Sequence, residues 1–255
     1  MADIVWSVLV GLPDATPRQI AALVDMTRLW AGHLRGPGEH DGPIRLLTNL
    51  DDLSVEGVSI VEVRNRARDR RQVFRHRPPL AYRHLRPESG DRCMQLDLDS
   101  LARHPIAPLF DDITPGEMRV APSGLPLTHW QQMGSLLNRW RRAWYGHVYG
   151  WHERLGVSAS LTACTGTDWP DFMGRWVAAI ERHAERSEPS ERPGDQGYLN
   201  YLYTMDGIPM RRYGPRDIHH LRVPETASRE DIDRARVLHF PVPEKLQRMR
   251  EWSRL

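Results

Sequence analysis

Short apolar segments alternate along this chain with segments whose apolar residues recur at helical spacing. Ile4 to Val10 is a continuous apolar run, as expected for a strand buried on both faces of a parallel sheet. Thr16 and Pro17 predict the N-cap and first position of a helix, and Ile44 to Thr48 and Val58 to Val63 predict two more strands. The alternation predicts an α/β fold with a mostly parallel central sheet flanked by helices, which binds ligands at the carboxyl ends of its strands.

The same pattern predicts the remaining elements. Further strands are predicted at Cys93 to Leu98, Met118 to Ala121, Val157 to Ala163 and Val237 to Phe240. Further helices are predicted at Pro79 to Leu85, Trp169 to Glu185, Tyr198 to Tyr203 and Lys245 to Trp252. With 255 residues and no internal repeat, we expect a single domain over residues 1–255.

One segment, Leu127 to Leu155, combines tryptophans and tyrosines with several arginines and is predicted to be a helical insertion. Such surfaces can stack sugars or nucleotides, but tryptophans on helices more often pack in a core, and we favour the core interpretation. Because the segment interrupts a predicted ligand-binding sheet, it is also the candidate acceptor region, a hypothesis that rests on Trp140 and Trp144.

Charge and composition exclude some classes of partner. Lysine and arginine total 35 against 33 acidic residues, a formal charge of +2, which provides no electrostatic basis for binding nucleic acid or a membrane. Lys245 is the only lysine, and a GC-rich genome accounts for the arginine bias. The arginine-rich stretch from Arg64 to Arg77 is interpreted as a solvated face in preference to a phosphate site.

The cysteines and the N-terminal segment bear on the cellular compartment. Cys93 and Cys164 are too few for a disulfide framework, and we expect both to be reduced and buried. The chain starts without a basic region before its first apolar run, and no stretch has the roughly 18 apolar residues of a transmembrane segment. We therefore expect a cytoplasmic protein.

The strongest candidate for chemistry is the sequence CMQLDLDS from Cys93 to Ser100. A predicted buried strand runs out here into Asp97 and Asp99, and side chains two residues apart on an extended strand point the same way. Both carboxylates can therefore face one hard cation, which would neutralise a departing diphosphate. The isolated pattern is weak evidence, since Asp-x-Asp is common by chance.

The residues around Asp97 and Asp99 strengthen the prediction of a cation site. The stretch from Gly90 to Leu101 resembles the Asp-x-Asp strand of glycosyltransferase family 8, the glycogenin-like family. The sequence DQGYLN from Asp195 to Asn200 is similar to the family's DQdalN element. The sequence HFPVPEK from His239 to Lys245 is similar to its HFxGxxKPW element, with the only lysine at the family's lysine position. Arg83 lies where the family places a cationic residue before the Asp-x-Asp strand.

This resemblance implies a GT-A (Rossmann-like) fold and a glycosyltransferase with a UDP-sugar or another nucleotide-sugar donor, an unidentified acceptor and retention of anomeric configuration. Asp97, Asp99 and His239 would hold Mn²⁺ or Mg²⁺. Arg83 would contact the donor, and Lys245 would meet its diphosphate. Asp195 and Gln196 would lie beside the transferred sugar, where a carboxylate stabilises oxocarbenium-like charge.

The chain also departs from the family pattern. The asparagine expected near position 160 is absent, Val242 replaces the glycine of the HFxGxxKPW element, and Leu246 and Gln247 follow the lysine. Two alternatives stay open on this evidence. One is a relative that binds a nucleotide sugar without turnover, and the other is a sugar nucleotidyltransferase, for which Gly11 to Asp14 would be a poor phosphate loop.

Overall fold

A computed structural model describes residues 1–65, 67–129, 139–184, 194–221, 228–241 and 244–254. The strands are β1 Asp3–Leu9, β2 Ile44–Thr48, β3 Ser59–Glu62, β4 Arg92–Leu96, β5 Ser100–Ala102, β6 Met118–Pro126, β7 Leu155–Thr165, β8 Met210–Arg212, β9 Ile218–His220 and β10 Val237–His239. The helices are α1 Pro17–Arg35, α2 Arg70–His84, α3 Ala107–Asp111, α4 Arg139–Val148, α5 Trp169–Ala184, α6 Asp195–Thr204, α7 Arg229–Arg234 and α8 Lys245–Trp252.

Within these residues, seven strands form the central sheet in the order β3-β2-β1-β4-β7-β6-β8. Four of the six neighbouring pairs are parallel, and only β7 runs against its neighbours β4 and β6. A second sheet has the order β5-β10-β9. The predicted α/β fold with a mostly parallel sheet is confirmed.

The first strand shows why the central sheet has a core on each face. Val5 and Leu9 pack into one buried cluster, while Ile4, Trp6 and Val8 pack into the other. Successive side chains of a strand point to opposite faces, so a run that is apolar throughout requires apolar layers on both sides. This is the arrangement predicted from the unbroken apolar sequence.

Helix α1 begins where the sequence predicts it. Thr16 is the N-cap and forms a capping box with Gln19, and Pro17 occupies the first helical position, where its missing N–H has no intrahelical partner.

Helix α2 differs from the short helix that the sequence predicts at Pro79 to Leu85. The helix instead begins nine residues earlier, at Arg70. The side chain of its N-cap, Asp69, accepts a hydrogen bond from the Gln72 amide, and Pro78 and Pro79 both lie inside the helix. Proline is disfavoured inside a helix and common in its first turn, so two interior prolines hide a helix that starts before them.

Other boundaries also move. Strand β4 ends at Leu96, so Asp97 and Asp99 lie in a turn and not on the extended strand that was predicted. Helix α6 begins at Asp195, three residues before the predicted start, whereas α8 matches its prediction. Trp130 and Glu185 lie outside the described residues.

Among the helices that the structure describes, none combines the length and apolarity needed to cross a bilayer.

The two cysteines lie opposite each other on β4 and β7, where Cys93 pairs in register with Cys164. Both are buried free thiols, as predicted. Burial raises the pKa of the Cys93 thiol to about 12 and that of Cys164 well above its usual range, so both thiols are protonated near neutral pH.

Candidate functional site

Four segments of the chain bring charged side chains together at the carboxyl end of β4. Asp97 and Asp99 come from the turn after that strand, and His239 ends β10 of the smaller sheet. Lys245 opens α8, and Asp195 opens α6. The site therefore joins residues that are up to 148 positions apart in the sequence, from Asp97 to Lys245.

The turn after β4 is held to both sheets by backbone hydrogen bonds. The Asp97 amide donates to the Ser160 carbonyl of β7 at 2.9 Å, and the Ser100 amide donates to the Asp97 carbonyl at 3.1 Å. The Phe240 amide donates to the Asp99 carbonyl at 2.8 Å. These bonds place the two carboxylates next to the end of β10, where His239 lies.

Two carboxylates and one imidazole converge in this place. One ligand atom each of Asp97, Asp99 and His239 lies within 4.8 Å of the others. Nε2 of His239 is 3.3 Å from Oδ1 of Asp99 and 3.8 Å from Oδ2 of Asp97. Two hard oxygen donors and one imidazole nitrogen are a ligand set that fits Mn²⁺ as well as Mg²⁺.

Lys245 is already paired with this group. Its Nζ lies 2.8 Å from Oδ2 of Asp99. Burial of Asp99 disfavours its charged form, but His239 and Lys245 outweigh that effect and hold the pKa of the Asp99 carboxyl far below its usual range. Asp99 is therefore an ionised carboxylate at neutral pH, as a metal ligand must be.

A residue that the sequence interpretation missed joins the two halves of the site. Arg77 of α2 is buried, its Nε donates to Oδ2 of Asp195 at 2.7 Å, and its Nη1 contacts Oδ1 of Asp97. Burial alone would lower the pKa of Arg77, but the two carboxylates raise it above its ordinary value. The guanidinium is therefore permanently charged between them.

The expectation that Arg64 to Arg77 forms a solvated face is thus wrong for Arg77, and also for Arg75, which is 6% exposed. A signal for Arg77 is present in the sequence. It lies four positions after Val73 and four before Ala81, on the apolar stripe that faces the core. A lone cation on such a stripe needs a buried acidic partner, and only the folded chain shows which acids those are.

Asp195 is the most deeply buried acid of the site, with 3% of its surface exposed. Burial raises the pKa of its carboxyl to about 6, although Arg77 opposes that shift. Its Oδ1 accepts a hydrogen bond from the Gln196 amide at 2.9 Å, in the first turn of α6. The indole of Trp176 in α5 donates to the Asp195 carbonyl at 3.2 Å, which ties the start of α6 to α5.

A row of uncharged polar side chains lies beside these acids. Gln95 donates to the Ala159 carbonyl at 2.7 Å and reaches Oδ1 of Asp97 at 3.4 Å. On β7, the Ser158 hydroxyl lies 3.0 Å from that of Ser160 and donates to Oε1 of Gln196 at 3.3 Å. Gln196 thus lies next to Asp195 and in contact with this row.

Arg83 is the one predicted site residue that the structure places elsewhere. It lies in the last turn of α2 with an exposed side chain, six residues and about 9 Å of helix beyond Arg77. The described contacts of the acidic group involve Arg77 and not Arg83. The predicted contact of Arg83 with the donor stays a prediction.

The aromatic insertion differs from the favoured core interpretation. Trp140 is 83% exposed and Trp144 54%, whereas Trp151 is buried. Tyr145 stacks on Trp151 with ring centroids 4.8 Å apart, and Tyr145 and Trp151 belong to a small apolar cluster that also contains Tyr201 of α6. Trp151 anchors the segment, and the two tryptophans of α4 project outward.

This segment lies near the same edge of the central sheet as the acidic group. Strand β7 runs against β4 and begins at Leu155, so its first residues extend beyond the point where β4 ends. Helix α6, which starts with Asp195, reaches the aromatic cluster at Tyr201.

Comparisons with known proteins agree on the fold. No family model matches the chain, and no curated protein matches it in sequence. The galactosyltransferase LgtC, solved with donor and acceptor sugar analogues, superposes with a TM-score of 0.60 at 14% identity over 98% of this chain and 95% of that one. An active-site mutant of LgtC gives 0.57 at 13% identity, over 97% of this chain and 94% of that one.

Mouse xyloside xylosyltransferase 1, in its apo form, superposes with a TM-score of 0.56 at 12% identity over 94% of this chain and 97% of that one. The chain therefore has the GT-A fold, a Rossmann-like α/β architecture, as predicted. These neighbours are glycosyltransferases, and at this level of identity they establish the architecture of the present chain.

Proposed function

We propose that this protein is a metal-dependent glycosyltransferase that moves a sugar from a nucleotide diphosphate donor, a UDP-sugar, to an acceptor with retention of configuration. One observation carries the proposal. In a GT-A fold, Asp97, Asp99 and His239 converge at the carboxyl end of a central strand with Lys245 beside them. The carboxyl ends of the strands are where open α/β sheets bind their ligands.

Charge balance supports a cation and a diphosphate together. Among the described side chains of the site, the three acidic groups of Asp97, Asp99 and Asp195 pair with two basic ones, Arg77 and Lys245. One negative charge is left over, which favours a divalent cation. When bound, Mn²⁺ or Mg²⁺ supplies neutralisation of the negative charge that develops on the leaving diphosphate.

The chain's own residues perform the other tasks. Lys245 provides a compact positive charge for a phosphate oxygen of the nucleotide. To do so, its ammonium group leaves the ion pair with Asp99 and contacts the phosphate. Asp195, ionised at neutral pH and held by Arg77, stabilises positive charge on the sugar ring in the transition state. Gln196 and Ser158 orient the sugar through hydrogen bonds.

Calorimetric titration of UDP with and without Mn²⁺ tests the metal site. We expect Mn²⁺ to tighten UDP binding by about tenfold or more, and we expect this dependence to be lost in Asp97→Ala and His239→Ala. Asp171→Ala, at an exposed aspartate of α5, is the matched control and retains it. Equal binding with and without metal in the unmodified protein would refute the metal site.

The acceptor region is part of the same proposal, which treats residues 1–255 as one domain and assigns the acceptor to the 127–155 segment. Replacing Trp140 and Trp144 together with alanine is expected to raise the KM for a sugar acceptor by roughly 30-fold, because stacking on an aromatic ring contributes about 1 kcal/mol per ring. The KM for the donor stays unchanged.

Initial rates against acceptor concentration measure this effect. Met205→Ala, at an exposed apolar residue outside the insertion, serves as the control. An unchanged acceptor KM in the folded double variant would show that the exposed tryptophans serve another purpose.

The alternative of a relative without turnover is tested on the donor alone. A protein that binds UDP with metal but releases no UDP from any UDP-sugar would be such a relative.

A further inference from the structure

His220 contacts the predicted metal ligand His239 from the side opposite to the carboxylates. Strands β9 and β10 run parallel, and His220 is in register with His239. The Nδ1 atoms of the two rings are 2.8 Å apart, and the rings are nearly perpendicular, at 85° with centroids 4.8 Å apart. His239 is therefore held at Nδ1 while its Nε2 faces Asp97 and Asp99.

This contact decides which nitrogen of His239 can bind a cation. Between two ring nitrogens at hydrogen-bond distance, one donates a proton and the other accepts it. A metal needs the lone pair of Nε2, so the proton of neutral His239 must be on Nδ1 and must be donated to Nδ1 of His220.

The carboxylates alone favour the opposite arrangement. Oδ1 of Asp99 lies 3.3 Å from Nε2 of His239 and would attract a proton to that nitrogen, where it blocks metal binding. An acceptor at Nδ1 offsets this preference. Histidine ligands commonly donate their second ring N–H to a fixed acceptor, and loss of that acceptor weakens metal binding by about 10- to 100-fold.

We propose that His220 is a positioning residue for the metal site, which accepts the Nδ1 proton of His239 and leaves Nε2 free for the cation. The inference rests on the metal site of the proposed function. It adds a residue outside the sequence motifs that indicated the site, on a strand that the sequence analysis did not predict.

Titration of the protein with Mn²⁺ alone, followed by electron paramagnetic resonance of the free ion, tests the inference. We expect His220→Phe, which keeps a ring but has no acceptor, to weaken Mn²⁺ binding by about 10- to 100-fold. His220→Asn places an amide oxygen near the former Nδ1 and is expected to stay within about threefold of the unmodified protein. His219→Phe, at the neighbouring histidine of β9, is the matched control.

The outcomes separate the two claims. Absence of Mn²⁺ binding in the unmodified protein would remove the metal site and this inference with it. Binding that is equal in His220→Phe and the unmodified protein would overturn the inference alone, as would His220→Asn binding as weakly as His220→Phe. In Mg²⁺-loaded unmodified protein at pH 8, ring nitrogen resonances must show His239 protonated at Nδ1. Protonation at Nε2 would show that His239 does not bind the cation and would remove both claims.

Discussion

Replacing Arg77 with methionine is expected to lower the free energy of unfolding by about 3–5 kcal/mol, because it leaves two nearly buried carboxylates without their counter-charge. Arg77 and Asp195 have side chains that are 9% and 5% exposed, and Asp97 is 14% exposed. For a chain of this length the loss corresponds to a fall in melting temperature of roughly 6–20 °C. Calorimetric or circular dichroism melting of the nucleotide-free protein measures it.

Arg83 offers a matched control on the same helix. Because its side chain is exposed, Arg83→Met is expected to change the free energy of unfolding by less than about 0.5 kcal/mol. A second variant isolates the cause: adding Asp195→Asn to Arg77→Met removes one of the unpaired charges and should recover part of the lost stability. If Arg77→Met has the same melting temperature as the unmodified protein, Arg77 does not hold the acidic side chains together.

The second large effect is expected on turnover. Asp195→Asn keeps the shape of the side chain and removes its charge, so a transition state with positive charge on the sugar loses its partner. We expect the rate of UDP release to fall by about 10²–10³-fold, the range found when one stabilising group is removed from a charged transition state. The affinity of the variant for UDP in the presence of Mn²⁺ is expected to stay within about threefold of that of the unmodified protein, since Asp195 is not among the proposed metal ligands.

UDP release can be measured before the acceptor is known, as hydrolysis of a panel of UDP-sugars to UDP and free sugar. Asp171→Asn is the control, because this aspartate lies on the exposed face of α5. An Asp195→Asn variant that is folded, binds UDP and releases it at the original rate would show that the carboxylate has only a structural role with Arg77.

The amino-acid sequence was enough to predict the class of fold, and it supplied most of the candidate residues of the acidic site. Unbroken apolar runs need apolar layers on both faces, and their alternation with amphipathic helices leaves few arrangements other than a mostly parallel sheet. Asp97 and Asp99 were candidates from their place at the end of a predicted strand, and His239 and Lys245 from the resemblance of HFPVPEK to a family element. The cap at Thr16 was readable because a helix start depends on a few local residues.

The basic residue between the acids and the partner of His239 became visible only in the folded chain. Arg77 looked like one of many solvated arginines, because nothing local shows that Asp97 and Asp195, 20 and 118 positions later, receive its guanidinium. His220 was not considered, because β9 is three residues long and gains its partner only from β10. Likewise Trp140 and Trp151 look alike in sequence, yet burial depends on which faces of the insertion meet α6.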